Sequence, residues 1–283
     1  DVYKRQKQYR EADRPEDVGK CLLTIANHFI MLEDYENALP LYKEAYQLAL
    51  EHKSIELQQV SGIMLIKYLC GAGYYSESLE YYNKIKPEIA FNPSMQNEVV
   101  KSYMELNKPD SARIYLAARL LSERGDKIVL NCMMAETYIP EGQEDSAFVF
   151  LDRAMKSYKE KAKNYQKQGR EAILPNCFLS PCYLFADLLW KKGKIQQASQ
   201  YYMIVEPLMK ERVKTPVRME LQIKALTNFS SFCRETKQYE KALDLLARRD
   251  SVLQTYLEFK AKNDKKNYAE RLKIQELKHE LNE

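Results

Sequence analysis

Residues 35–45 read YENALPLYKEA, and this stretch decides the fold because relatives of it recur along the chain. In every copy the fourth residue is small, and a large apolar residue follows four positions later. Residues four apart lie on one face of an α-helix, so each copy predicts a helix with one small and one large contact point. The relatives are YSESLEYYNKI at 75–85, PDSARIYLAAR at 109–119, EDSAFVFLDRA at 144–154, IQQASQYYMIV at 195–205 and YEKALDLLARR at 239–249.

A second apolar helix is predicted upstream of these copies, as in CLLTIANHFIML from residue 21 and CYLFADLLW from residue 182. A short polar turn separates the two helices, with Gly142 and Gly193 in two copies and Asn107 in another. Turns of this length join antiparallel helices. The chain is therefore predicted to be a run of about six helical hairpins, each with a helix A followed by a helix B.

Small residues in this pattern indicate where two helices cross. At Ala26, Ala38 and Ala45 a larger side chain would overpack, while Phe29 and Tyr42 fill the wider gaps between the helices. The same reasoning applies to the later copies. We expect burial of the small helix B residues Ala38, Ala112, Ala147, Ala198 and Ala242.

The pattern resembles the tetratricopeptide repeat (TPR), whose small and large positions are matched in the first copy by Leu22, Ile25, Ala26, Phe29, Tyr35, Ala38, Tyr42 and Ala45. The resemblance covers most of residues 20–250 and implies an all-α solenoid of helical hairpins wound as a right-handed superhelix. Residues 1–19 are expected to be the remnant of a preceding helix behind DVYKRQ, which resembles translated sequencing-adapter DNA. Residues 251–283 are expected to form one long charged helix.

Composition and motifs argue against several classes of function. The net charge is only +4 and no dense basic block is present, so we expect no direct binding of nucleic acid by this segment. The six cysteines stand mostly in apolar helical stretches and are expected to be free core thiols, with no metal site. There is no glycine-rich phosphate loop and no HExxH motif. We therefore expect no enzyme and no cofactor, and no stretch approaches the roughly 18 apolar residues of a membrane span.

The resemblance also implies where a partner would bind, because helix A of each TPR hairpin faces the concave groove. One row of residues on these helices is polar throughout, basic at Lys67 and Lys101 and acidic at Glu136 and Asp187. An extended peptide or a partner helix would lie along this row, although an ordinary solvated face would show the same pattern. The candidate ligand-binding residues are Asn27, Lys67, Asn97, Lys101, Glu136, Tyr183, Asp187, Trp190, Asn228 and Arg234.

The C-terminal tail YLEFKAKNDKKNYAERLKIQELKHELNE, residues 256–283, has Ile274, Leu277 and Leu281 at the spacing of a short coiled-coil seam. Tyrosine-rich hairpins followed by such a helix resemble the sensor regions of Bacteroidota signalling regulators. There a repeat array outside the inner membrane precedes a membrane helix and a LuxR-like DNA-binding domain or a histidine kinase. The layout implies a non-enzymatic protein- or peptide-binding sensor on the periplasmic side. A free-standing scaffold, periplasmic or cytoplasmic, and a regulatory domain of a larger enzyme are the alternatives.

Overall fold

The structure is a computed structural model that describes residues 14–89, 95–122, 126–170, 172–213 and 215–282. Within these ranges the chain is helical and has no β-strand. The helices are α1 (Pro15–Met31), α2 (Tyr35–Glu51), α3 (Ile55–Gly71), α4 (Tyr75–Ile89), α5 (Gln96–Glu105), α6 (Pro109–Leu121), α7 (Lys127–Tyr138), α8 (Glu144–Lys167), α9 (Leu179–Lys191), α10 (Ile195–Lys210), α11 (Pro216–Glu235) and α12 (Tyr239–Asn282), with a 3₁₀ turn at Asn176–Phe178 before α9.

The odd-numbered helices are the predicted helices A, and the even-numbered helices are the helices B that follow them. Helix α1 begins at Pro15, where proline suits the first turn because its missing N–H would have no helical partner. Helix α12 is continuous from the last hairpin to Asn282, so the charged tail extends that helix B. The side chains of the predicted coiled-coil seam, Ile274, Leu277 and Leu281, lie outside the described residues.

Two compact units make up the chain. The first includes α1–α5, and the second runs from Arg113 to Ala261. Each unit has its own buried core, formed in the first by residues such as Leu22 and Leu65 and in the second by Phe185 and Phe229.

Every hairpin turns at a residue in the left-handed backbone region. In the first turn, the backbone N–H of Glu33 donates to Ile30 O at 3.0 Å and that of Asp34 donates to Phe29 O at 2.9 Å, which satisfies the last carbonyls of α1. The turn residue always precedes the small residue of helix B by five positions. These residues and their φ angles are Glu33 56°, Gly73 86°, Asn107 54°, Gly142 68°, Gly193 75° and Lys237 62°.

Burial of the small helix B residues is confirmed. Ala38, Ala112, Ala147 and Ala198 have no exposed surface, and Ala242 is 5 % exposed. The second copy has Ser78 at this position, and its hydroxyl donates to Ile66 O at 2.8 Å, so the buried polar group is satisfied. A serine therefore fits this crossing without leaving its hydroxyl unsatisfied.

The large positions four residues later are less uniform. Tyr42, Leu116, Leu151 and Tyr202 are at most 2 % exposed, whereas Tyr82 and Leu246 are only partly buried. In the last hairpin the neighbouring Leu245 is the buried residue instead, at 1 % exposure. The repeat pattern therefore places this core contact one residue too late in α12.

Candidate functional site

In the first unit, the predicted polar row is exposed. Asn27 lies on α1, Lys67 on α3, and Asn97 and Lys101 on α5, and all four side chains are exposed. Asn97 and Lys101 are four residues apart and so lie on one face of α5. The Nζ atom of Lys67 lies 5.5 Å from the centre of the Tyr68 ring, and that of Lys101 lies 5.9 Å from the centre of the Tyr75 ring. These amide and ammonium groups are available to a ligand.

A buried tyrosine supports the start of this row. The hydroxyl of Tyr42 donates to Asn27 Oδ1 at 2.6 Å, which joins α2 to α1. The Tyr42 ring is fully buried and stacks on Tyr68 of α3, with ring centres 5.2 Å apart and an interplanar angle of 21°. Burial and the neighbouring Tyr68 raise the pKa of Tyr42 well above its ordinary value, so the phenol remains a hydrogen-bond donor. The amide of Asn27 is thereby held in one orientation on the α1 surface.

The second unit repeats this arrangement with a carboxylate. Asp187 on α9 accepts hydrogen bonds from the Tyr202 hydroxyl of α10 and from the Asn228 amide of α11. The Tyr202 ring stacks on Phe229, with ring centres 4.6 Å apart and an interplanar angle of 6°. Burial raises the pKa of Asp187, and the two hydrogen bonds act against that rise. Asp187 therefore links α9 to α10 and α11, and its side chain is still partly exposed.

Glu136 on α7 occupies the corresponding position of the preceding hairpin but has a poorer set of partners. The residue fifteen positions later is Tyr202 for Asp187 and the buried Leu151 for Glu136. Burial raises the pKa of Glu136 to about 7, and the Ser180 hydroxyl acts in the opposite direction. The acidic half of the polar row thus carries less charge near neutral pH than its composition predicts.

The remaining candidate residues divide between core and surface. Tyr183 is 5 % exposed and belongs to the core cluster, so its side chain offers little surface to a ligand. Trp190 is partly buried and meets the Phe232 ring edge-on, with ring centres 5.6 Å apart. Asn228 is partly buried on Asp187, while Arg234 is exposed near the end of α11. The sequence alone does not show which face of a helix A is covered by another hairpin, so it does not separate buried aromatic residues from exposed ones.

Tyr42 and Tyr202 are the supporting residues that the sequence-based site missed. Both were recognised as large core positions, but their hydroxyl groups reach back to the polar row of helix A. A spacing of fifteen residues between a polar residue of helix A and a tyrosine of helix B is the signal that could have found them.

Two open depressions lie away from the predicted row. One, of about 630 Å³ in the first unit, is lined by residues of α2, α3 and α4, among them Lys43, Tyr46 and Tyr81. The other, of about 350 Å³ in the second unit, is lined by residues that include Met219, Gln222 and Val252. Neither depression contains a residue of the predicted site.

Comparison with known proteins agrees with the helical-hairpin fold. The family model for the tetratricopeptide repeat matches residues 179–203, which cover α9, its turn and the first part of α10. A solved structure titled "Functional Characterization of Pseudomonas Aeruginosa pilF" is similar with a TM-score of 0.51 and 14 % identity, covering 88 % of this chain and 98 % of that one. No curated protein matches the chain. The all-α, TPR-like solenoid fold that the sequence predicts is confirmed.

In the part of the chain that the structure describes, no helix combines the length and the apolar character needed to cross a bilayer.

Proposed function

We propose that this chain is a non-enzymatic protein- or peptide-binding module and that Asn27, Lys67, Asn97 and Lys101 form its main contact surface. The observation that carries the proposal is the exposure of these four polar side chains on successive helices A of the first unit. Their position supports recognition of an extended chain or a helix, because TPR-like hairpins present helix A to a ligand. The acidic positions Glu136 and Asp187 have a smaller role, since their carboxylates are partly engaged in helix packing.

The chemistry of the surface defines the class of ligand. The two lysines offer positive point charges, and the two asparagines offer amide groups that hydrogen-bond to peptide backbone. We therefore expect a peptide or partner helix whose acidic end lies at Lys67 and Lys101. Charge pairs on an open surface are individually weak and are screened by salt, so the affinity should be micromolar and should fall as salt rises.

A charge reversal tests this surface. Peptides selected from a displayed library on the wild-type chain would be measured by calorimetry against Lys67→Glu/Lys101→Glu, at low and at high salt. The double variant should lose at least about tenfold in affinity, because each acidic contact becomes repulsive. Wild-type binding should weaken with salt, and what remains in the variant should not.

A matched control carries Lys53→Glu/Lys108→Glu, which makes the same charge change at two exposed lysines in turns of the first unit. This control should bind like the wild type, and circular dichroism would verify that both double variants are folded. Equal binding by the wild type and the Lys67→Glu/Lys101→Glu variant would show that the row is only solvated surface.

We further propose that the module is the sensory part of a bacterial signalling or transcription regulator on the periplasmic side of the inner membrane. The layout of hairpins followed by a charged helix supports this assignment. The continuity of α12 from Tyr239 to Asn282 also supports it, because an uninterrupted helix can carry a change in the last hairpin along its length. Recovery of the flanking reading frame is the test. A hydrophobic span soon after residue 283 is expected, and a catalytic domain or a stop codon there would contradict the proposal.

A further inference from the structure

The side-chain amide of Gln222 on α11 is buried, and only its nitrogen is hydrogen-bonded. Gln222 is 1 % exposed. Its Nε2 atom donates to Met209 O at 2.6 Å and to Glu211 O at 3.0 Å, which are carbonyls at the C-terminal end of α10. Its Oε1 atom has no hydrogen-bond donor in the part of the chain that the structure describes. A buried acceptor is unfavourable without a donor, so this oxygen suits a donor on a ligand.

The two backbone carbonyls fix the direction of this amide. A glutamine side chain has two N–H donors on its nitrogen and only acceptor capacity on its oxygen. Rotating the amide by half a turn would bring Oε1 against Met209 O and Glu211 O, where no hydrogen bond can form. Gln222 therefore keeps its oxygen as the unpaired group while its nitrogen closes the end of α10.

Gln222 lines the depression of about 350 Å³ in the second unit. Its lining also includes the apolar residues Met209, Met219 and Val252 and the charged residues Glu211 and Arg248. The residues at 211–213, which border the depression, are not helical. Oε1 is covered in the structure, so this short edge has to shift for a ligand to reach it. Irregular segments of this kind move more easily than packed helices.

Two opposite charges on the lining retain unused hydrogen-bonding atoms. Glu211 accepts a hydrogen bond on Oε2 from Arg218 at 2.7 Å, and Arg248 donates from Nε to Asp244 Oδ2 at 2.9 Å. Among the described residues, Oε1 of Glu211 and the two terminal amino groups of Arg248 make no hydrogen bond. A carboxylate oxygen beside an amide oxygen suits an ammonium group, and a guanidinium group suits a carboxylate.

We infer that this depression binds a free α-amino acid with an apolar side chain. The ammonium group donates to Gln222 Oε1 and Glu211, and the carboxylate accepts from Arg248. The apolar side chain contacts Met209, Met219 and Val252. A volume of about 350 Å³ lies near the lower end of the range for small-ligand pockets, which favours an amino acid over a larger molecule. This inference is independent of the proposed peptide-binding surface, which lies in the first unit.

A series of related ligands tests the inference on the unmodified wild-type chain. L-leucine would be the probe, and calorimetry should show saturable binding of one molecule per chain. N-acetyl-leucine lacks the ammonium charge and leucinamide lacks the carboxylate, so each should bind at least about tenfold more weakly. Glycine should also bind more weakly, because it has no apolar side chain. Equal binding of leucine, N-acetyl-leucine and leucinamide would overturn the inference, as would an absence of saturable leucine binding.

Variants of the chain assign the contacts. Arg248→Gln should weaken leucine binding at least about tenfold and should leave the affinity for leucinamide unchanged, because leucinamide has no carboxylate to lose. The matched control is Arg249→Gln, which alters an arginine of α12 that pairs with Asp250 and should bind leucine like the wild type. Unchanged leucine binding by Arg248→Gln would contradict the inference.

Gln222→Met removes the amide oxygen and should abolish leucine binding. Because it also removes the hydrogen bonds of Nε2 to the end of α10, circular dichroism would verify that this variant is folded. If it does not fold, the ligand series and Arg248→Gln still decide the outcome. Wild-type leucine affinity in a folded Gln222→Met variant would overturn the inference.

Discussion

The first hairpin and the α9–α10 hairpin use the same device with different polar residues. In both, a buried tyrosine of helix B stacks on an aromatic ring of the next helix A and donates its hydroxyl to a polar residue fifteen positions earlier. The acceptor is the neutral Asn27 in the first hairpin and the carboxylate of Asp187 in the other. A second donor, Asn228, is added where the acceptor is a carboxylate. A charge at this position is thus accompanied by additional hydrogen bonding.

The α7–α8 hairpin lacks that support. Glu136 occupies the same position, but Leu151 replaces the tyrosine, and burial raises the pKa of Glu136 to about 7. Asp187 and Glu136 would look equivalent on a list of acidic residues. Hydrogen bonds from Tyr202 and Asn228 oppose the rise in the pKa of Asp187, whereas helix B places no tyrosine opposite Glu136.

Removal of the buried tyrosine ring that both hairpins contain should have the largest effect on stability. Tyr42→Ala and Tyr202→Ala each delete a fully buried, stacked ring, and each should lower the free energy of unfolding by about 3–5 kcal/mol. Urea denaturation would measure both variants. Tyr239→Ala is a suitable control, because Tyr239 is 60 % exposed and its loss should matter little. If one buried tyrosine tolerates alanine, the two hairpins do not share this device.

A smaller change, from tyrosine to phenylalanine, should destabilise the two hairpins by different amounts. Tyr202→Phe keeps the ring but removes a hydrogen bond to a carboxylate, which should cost about 1.5–3 kcal/mol, while Tyr42→Phe removes a bond to a neutral amide and should cost about 0.5–1.5 kcal/mol. The comparison of interest is the difference between the two unfolding free energies under the same conditions. Equal losses would mean that the charge of Asp187 adds nothing to this contact.

The effect of changing Glu136 should depend on pH. Its folded pKa of about 7 exceeds the ordinary value of 4.5, so between these pH values the folded chain binds more protons than the unfolded one. The free energy of unfolding should therefore fall as pH rises through this window. Glu136→Gln stays neutral and should be more stable than the wild type by about 1–2 kcal/mol at pH 8, with little difference at pH 5.

The control for this prediction is Glu160→Gln, which changes an exposed glutamate of α8 in the same unit. Its stability relative to the wild type should not vary over the same pH range. Thermal melting at several pH values would follow all three proteins. A Glu136→Gln profile parallel to that of the wild type would show that the carboxylate is solvated in the folded state.

Much of the fold could be predicted because a small residue at the same place in each repeat marks where two helices cross. The alanines at positions 38, 112, 147 and 198 are buried as the pattern predicts. Ser78 is also buried at this position, and its hydroxyl donates a hydrogen bond to a backbone carbonyl. The charge state of the candidate site could not be predicted in the same way. It depends on contacts between different helices, such as Asn228 with Asp187, which are 41 positions apart.

The left-handed residue at each hairpin turn has a consequence for folding kinetics. Because it ends helix A five positions before the crossing residue of helix B, each hairpin can close through contacts between residues that are near in sequence. Chains dominated by such short-range contacts fold quickly, and a repeat array can begin folding at any of its hairpins. Turns with Gly73, Gly142 or Gly193 adopt this conformation without steric cost, whereas Glu33 and Lys237 do not. Folding should therefore start more readily in the glycine-turn hairpins than in the hairpins that turn at Glu33 or Lys237.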